Sequence, residues 1–499
     1  MTQQVDLLDI IDEEVGIELV QLLLLMGFYL QSTEKFSKCW NITGLAIRMA
    51  QNMGLQLSPA DARRRSLLTV SPTQLESEMR VRVWYGCVLL DREISMSFGR
   101  PLMINSGTTD QLTLPAAIDD ERLNEEAGGR WNCQPTNCPS LLESYIQTIK
   151  LYDILGQVLD REDSKDGGGG AAPGRLPPAD RLPMANSDTQ SLLDLDTMIM
   201  EWRDSLPAHL QYNPSSDRDR PEGALTPESS SPPCDFLAQA KRLHTRFLHV
   251  RVLILRPALE HLFQKQRQMQ PSSRARSGPV ARVQDLMLSD IAAQCVLTAD
   301  ALVRCLDTHI RSHSLVAWWY NIGSGSTLLM GRLCSFNDAV VKRDALAASW
   351  ELCLQSLSRY ITLSSIADKS VYLLQESARR LLPERDQHPP SLAPIPYGEP
   401  LPQPRPRTMQ TDMACPRPST LGMQYAPLPA GMVDDCQLQQ SVDIFPGGGP
   451  VMAAPPMNEG LGQDMWMAGD VSGASYWPFM PFLSQLEALP KGFDMASLE

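Results

Sequence analysis

Apolar positions recur at intervals of three and four along most of the first 382 residues, the spacing that lines side chains along one face of a helix. Leu19, Leu22, Leu23, Met26 and Leu30 begin the pattern just after Val15. A second periodic segment runs from Glu34 to Met53 with Trp40, Leu45, Ile47 and Met49, and Gly54 closes it. Together they predict an αα-hairpin. Further helices are expected at Glu78 to Gly99, Ser140 to Leu159, Ser191 to Leu206, Phe236 to Gln264, Leu286 to Ile310, Leu315 to Leu333, Ala345 to Thr362 and Ser364 to Leu382. No alternating pattern long enough for a strand precedes Pro383, so the expected fold class is all-α, a large multi-helix bundle or array.

The breaks in periodicity divide the chain. Residues 1–14 are acidic and read as a frayed start, residues 15–382 as one helical domain, and residues 383–499 as a disordered tail. Two disordered insertions are expected inside the domain, at about 163–189 around four consecutive glycines and at about 211–233. Arg63 to Arg65 is a short basic run, either a solvated loop or part of a nuclear import signal, and Asn105 to Cys138 is a turn-rich surface excursion.

The densest information lies in Glu78 to Pro101, EMRVRVWYGCVLLDREISMSFGRP. Val81, Trp84, Val88 and Ser95 share a helical stripe with Asp91, so ionic groups sit near an apolar face. Buried charges are costly unless answered. Glu78, Arg80, Arg82, Asp91, Arg92 and Arg100 are therefore expected to pair or to reach backbone carbonyls, a geometric lock without chemistry. The string resembles the signature of the regulatory (middle homology, xylanolytic-activator-type) domain of fungal binuclear zinc-cluster transcription factors. That pattern is roughly Glu-x-Arg-Arg-Arg-x-Trp-Trp, then Asp-Arg, then Gly-Arg-Pro. Glu78, Arg80, Arg82, Trp84, Asp91, Arg92, Gly99, Arg100 and Pro101 match it, while Val81 and Tyr85 depart. Two flanking segments are also similar to the family: CWNITGLAIRMAQNMGL upstream, and a helix ending in Leu255, Arg256 and Pro257 downstream.

The resemblance implies a transcription regulator in a fungal nucleus, controlling a metabolic or secondary-metabolite gene set, with the domain restraining or licensing activation. Its partners would be the transcription machinery or a coactivator, with a homo- or heterodimer left open. A zinc cluster needs six cysteines opening with Cys-x2-Cys-x6-Cys, a pattern not found among the 11 cysteines here. The resemblance begins close to the start of the chain, so a DNA-binding module is expected upstream, and zinc only with it. The alternative is a DNA-binding-deficient helical adaptor that dimerises with full-length relatives and modulates them. Either way DNA contact would be indirect or through that upstream module.

Charge agrees with indirect contact. The net charge is −14, of which residues 391–499 supply −7 (4 basic, 11 acidic), and an acidic chain does not attract phosphate by bulk charge. The same stretch holds 17 of the 39 prolines, which sets it apart as a tail. From Gly431 onward nine acidic residues face one lysine, with aromatics set among them. Trp477, Phe479, Phe482 and Leu486 are the expected coactivator contacts, anchors for a groove. The run Leu19 to Leu30 is short for a bilayer and no secretory n-region precedes it, so the expectation is an intracellular, soluble protein without a membrane partner.

Candidate chemistry is thin. Cys133 and Cys138 have no second pair nearby, and His309 and His313, at i and i+4, lack the adjacent glutamate and a third ligand. Gly323 and Gly325 have no preceding strand and no following Lys-Ser or Lys-Thr. Neither a catalytic set nor a resident cofactor is expected.

Overall fold

Three-and-four spacing closes into helices wherever a cap or turn residue stops it. The computed structural model describes residues 16–67, 72–105, 107, 112–126, 130–166, 186–214, 236–268, 279–311, 319–362 and 364–382. Among them every regular element is helical and none is a strand. The eleven α-helices are α1 (Ile17–Ser32), α2 (Phe36–Asn52), α3 (Pro59–Arg64), α4 (Gln74–Phe98), α5 (Glu143–Asp166), α6 (Asn186–Asp204), α7 (Phe236–Gln268), α8 (Pro279–Arg311), α9 (Tyr320–Leu333), α10 (Arg343–Ser358) and α11 (Ser365–Leu381).

Two apolar cores result. In the first, Val20, Leu23 and Leu24 of α1 and Cys39, Ala46, Ile47 and Ala50 of α2 pack against Trp84, Val88 and Ile94 of α4. Gly27 permits this, since a Cβ there would stand 2.6 Å from Leu90 Cδ2. The second core spans α5 to α11 and is built on the long α7–α8 pair. Lys265 meets Asp285, Cys295 Sγ donates to the Val252 carbonyl at 3.7 Å, and Thr245 Oγ1 lies 3.5 Å from Cys305 Sγ. Partner numbers rise on α8 as they fall on α7, so the two run antiparallel. Cores one and two meet at α4, whose Leu89 packs against both.

The stretch Arg282–Thr308 of α8 has the length and composition to cross a membrane, with a mean hydropathy of 1.5. Its residues Ala292, Cys295, Val296, Ala299, Leu302, Val303 and Leu306 are instead buried in the second core. Core helices of large helical proteins are often apolar all round.

Several boundaries differ from the periodicity. Periodicity places a helix at Phe236 to Gln264 and α7 runs four residues further to Gln268, so Leu255-Arg256-Pro257, where the resemblance ends a helix, lies inside it. The proline removes the N–H that would bond the Leu253 carbonyl, but Ala258, Leu259, Leu262 and Phe263 are buried beyond it, and their burial outweighs one missing bond. The basic run Arg63 to Arg65 closes helix α3, capped where the Asp61 N–H donates to Ser58 Oγ at 3.2 Å. Helix α5 runs to Asp166 and α6 starts at Asn186, so each enters one end of the expected 163–189 insertion. The remainder of that insertion, residues 1–14, most of 211–233 and the tail 383–499 lie outside the described residues.

Gly331 on α9 abuts α8: an added Cβ would sit 2.8 and 2.9 Å from the two Cγ atoms of Val296, a stiff, buried side chain. Gly331→Ala is expected to lower stability by about 1–2 kcal/mol despite alanine's better helix propensity, because overpacking outweighs it. Adding Val296→Ala should relieve the clash, so thermal unfolding of the pair tests whether the loss is steric.

Candidate functional site

Helix α4 begins four residues before Glu78 because Thr73 and Glu76 form a capping box: the Glu76 N–H donates to Thr73 Oγ1 at 3.1 Å, and the Thr73 N–H donates to Glu76 Oε2 at 2.8 Å. Gly99, in the left-handed region at φ 60°, ends it. Of its 25 residues 18 are buried, among them Glu78, Arg82, Asp91, Arg92 and Glu93. A helix enclosed on every side must answer these charges internally.

It answers most of them with backbone. Asp91 Oδ2 accepts from the N–H groups of Met103 at 3.1 Å and Ile104 at 2.9 Å, folding the chain after Gly99 back onto the helix. Glu78 Oε2 accepts from the Ala116 N–H at 3.0 Å. Arg82 donates to the Ile118 carbonyl at 2.8 Å, pairs with Asp120 and lies 3.6 Å from Glu78. Arg80 donates to the Met53 and Gly54 carbonyls at 2.9 and 3.2 Å, fastening the end of α2. Arg100 lies over the Trp40 ring at 5.4 Å, and the Pro101 carbonyl accepts from Ser95 Oγ at 3.4 Å. Trp84 is fully buried at the centre. Glu78, Arg80, Arg82 and Asp91 thus share one task, holding neighbouring backbone against a core helix.

Arg92 differs from the others. Its side chain is fully buried and its guanidinium carries no hydrogen bond among the described residues. Burial lowers its affinity for a proton, while the carboxyls of Asp91, Asp153 and Asp160 oppose that by charge. Burial likewise raises the Asp91 carboxyl to about 6, the backbone donors and Arg92 pulling the other way.

The periodicity did not reveal a second polar cluster, formed where α4, α5, α7 and α9 meet. Glu93 of α4 accepts from the hydroxyls of Tyr152 on α5 and, at 3.3 Å, Tyr320 on α9. Arg246 of α7 lies over the Tyr152 ring at 5.7 Å and donates to Thr148 Oγ1 at 3.2 Å. Burial works against its charge, but Tyr152, Tyr320 and Glu93 outweigh that and hold it protonated. His249 stacks on Tyr320 with ring centres 3.8 Å apart, and burial pushes its imidazole down to about 3. Burial raises both tyrosine hydroxyls. In sequence Tyr152 stands within the apolar stripe of α5; only tertiary packing shows that its hydroxyl is shared.

The remaining candidates do not join either cluster. Arg256 donates to Glu260 on its own helix at 2.8 Å, next to buried Leu255. Gly323 and Gly325 lie inside α9, where a Cβ on Gly325 would press Leu374 at 3.0 Å and Cys353 at 3.2 Å; they allow close packing and do not form a phosphate loop. Cys133 and Cys138 are exposed, and among the described residues no three of His, Cys, Asp and Glu converge as metal ligands. The His309 side chain, His313, Trp477, Phe479, Phe482 and Leu486 lie outside the described residues.

Residues 7–204 match a family described as the fungal specific transcription factor domain. The chain is 24% identical over 380 residues to sorbicillinoid biosynthetic cluster transcription factor 2 of Penicillium rubens, covering 73% of this chain and 47% of that protein. It is 27% identical over 248 residues to activator of stress genes 1 of Saccharomyces cerevisiae, covering 49% of this chain and 21% of the relative. Against transcription factor FBD3 of Fusarium pseudograminearum the identity is 24% over 351 residues, 64% of this chain and 38% of the relative. The chain therefore spans about half the length of these curated relatives or less. No solved structure matches.

Two outcomes test the electrostatics. Asp91→Ala strands two backbone donors beside a buried guanidinium, so thermal unfolding should show a loss of about 3–5 kcal/mol. His249 is held neutral in the fold, its imidazole depressed from 6.5 to about 3, so its share of stability is complete above pH 6.5 and is lost as pH falls below it. Asp91 has the opposite sign, its share growing as pH falls from about 6 to about 4. Denaturant titration at pH 7 and pH 5 should find the His249→Phe chain less acid-sensitive than the parent by about 2 kcal/mol; equal pH slopes would show that His249 does not titrate with folding.

Proposed function

We propose, from the match of residues 7–204 to the family described as the fungal specific transcription factor domain, that the chain regulates transcription in the fungal nucleus as the regulatory part of a zinc-cluster-type factor. What supports this reading is α4: a largely buried helix whose Glu78, Arg80, Arg82 and Asp91 are spent on holding backbone, which shapes a helical unit. The domain's role is to relay and restrain, without catalysis. Base recognition belongs to a cationic module, a six-cysteine zinc cluster in this class of factor, carried outside this chain or by a partner.

The regulated genes belong on this reading to a metabolic or secondary-metabolite set, the direction in which the Penicillium relative's name points. Residues 431–499 act as the activating segment, with Trp477, Phe479, Phe482 and Leu486 as anchors for a coactivator groove.

Fused to a heterologous DNA-binding module, the chain is expected to drive a reporter in yeast, and Trp477→Ala with Phe482→Ala to cut that output by at least about fivefold, as loss of two aromatic anchors does. A reporter that stays silent, with the fusion shown to be nuclear and folded, would remove the activating role. The unfused chain should leave a labelled promoter fragment unshifted in an electrophoretic assay at physiological salt.

A further inference from the structure

Helix α1 has two apolar faces, and the fold covers one. Val20, Leu23, Leu24 and Gly27 are buried against α2 and α4. On the opposite side Leu22, Leu25, Met26 and Tyr29, at i, i+3, i+4 and i+7, are 50%, 66%, 39% and 61% exposed, with Phe28 beside them at 47%. That spacing is the seam of a helix pair. A helix apolar all round ordinarily has partners all round.

We propose that this face is the interface between two copies of the chain, their α1 helices packed antiparallel about an axis between Leu25 and Met26. Area supports a second copy. At roughly 200 Å2 for a large side chain fully exposed, the five fractions amount to about 500 Å2 per copy, or about 1,000 Å2 for the pair, the lower bound for a specific interface. Charge supports it and sets the direction. Glu18 is the only ionic residue of α1, so apposing two such helices buries no cluster of like charge. Exposed Lys35 and Lys38 follow the other end. Antiparallel pairing brings each Glu18 opposite Thr33 of the second copy, beside its Lys35, and lets the helix dipoles oppose. Glu34, the other acid at that end, accepts from Ser364 and Ser365 and is turned away from the seam. Parallel pairing would set the two Glu18 side by side. The arrangement is self-complementary, Leu22 meeting Tyr29 and Leu25 meeting Met26, as a closed dimer requires.

Sedimentation velocity of the purified full chain across about 1–100 μM, the range for an interface of this size, should show a concentration-dependent dimer. Leu25→Glu with Tyr29→Glu should raise the dimer dissociation constant at least about tenfold, with thermal unfolding unchanged because both side chains point outward. In a chain whose Cys133, Cys138, Cys234, Cys415 and Cys436 are serine, mixing Leu22→Cys with Tyr29→Cys copies should give the mixed disulfide in excess of either homotypic one. A chain monomeric throughout, its outer α1 face then left to another partner or to its own residues, would overturn the proposal. So would a dimer indifferent to the glutamates, or a dominant Leu22→Cys homodimer.

Discussion

A charge inside a protein must be answered there, and α4 buries five charged side chains, Glu78, Arg82, Asp91, Arg92 and Glu93. Desolvation of each costs several kcal/mol before any partner is counted. The partners chosen are mainly peptide groups. Glu78 and Asp91 take backbone N–H groups, Arg80 and Arg82 take carbonyls, and these peptides belong to the ends of neighbouring helices and to the irregular run after Gly99. Irregular backbone next to a core has its own unsatisfied donors and acceptors. Each of these contacts therefore meets two needs at once, which is why ionic residues are found where leucines would serve packing alone.

The same helix changes role along its length. Up to Asp91 its charges hold the covering chain of the first core. Glu93, one turn from the end, turns into the second core, where two tyrosines, and through them Arg246 and His249, tie it to three other helices. Hydrogen bonds in such a dry cluster strengthen one another and penalise partial opening. With Leu89 packed on both sides, a displacement of either core is opposed through α4.

How much of this was legible in sequence depended on whether the cause was local. The all-α class followed from periodicity, and the importance of Glu78 to Pro101 from charge inside an apolar stripe. The Thr73 and Glu76 box was there to be read and would have placed the start of α4 correctly. Periodicity carried the Phe236 helix through Pro257 to Gln264, and the burial of Ala258, Leu259, Leu262 and Phe263 beyond the proline is the tertiary reason that it holds. Leu22 and Leu23 count equally in a periodic pattern, yet one faces solvent and the other α4; neighbours decide, and one strand of sequence does not name them. The Glu93 cluster joins residues 59 and 227 positions apart, beyond any local signal.

Charge also bears on how such a chain could work at a promoter. Its net −14 opposes approach to DNA at long range, but beyond about 8 Å physiological salt screens most of that repulsion. A cationic module on a partner or on further chain need only hold the helical unit a few nanometres from the duplex for its acidity to cease to matter. The polarity of the molecule thus favours a division of labour in which DNA is read by one unit and the consequences are carried by another.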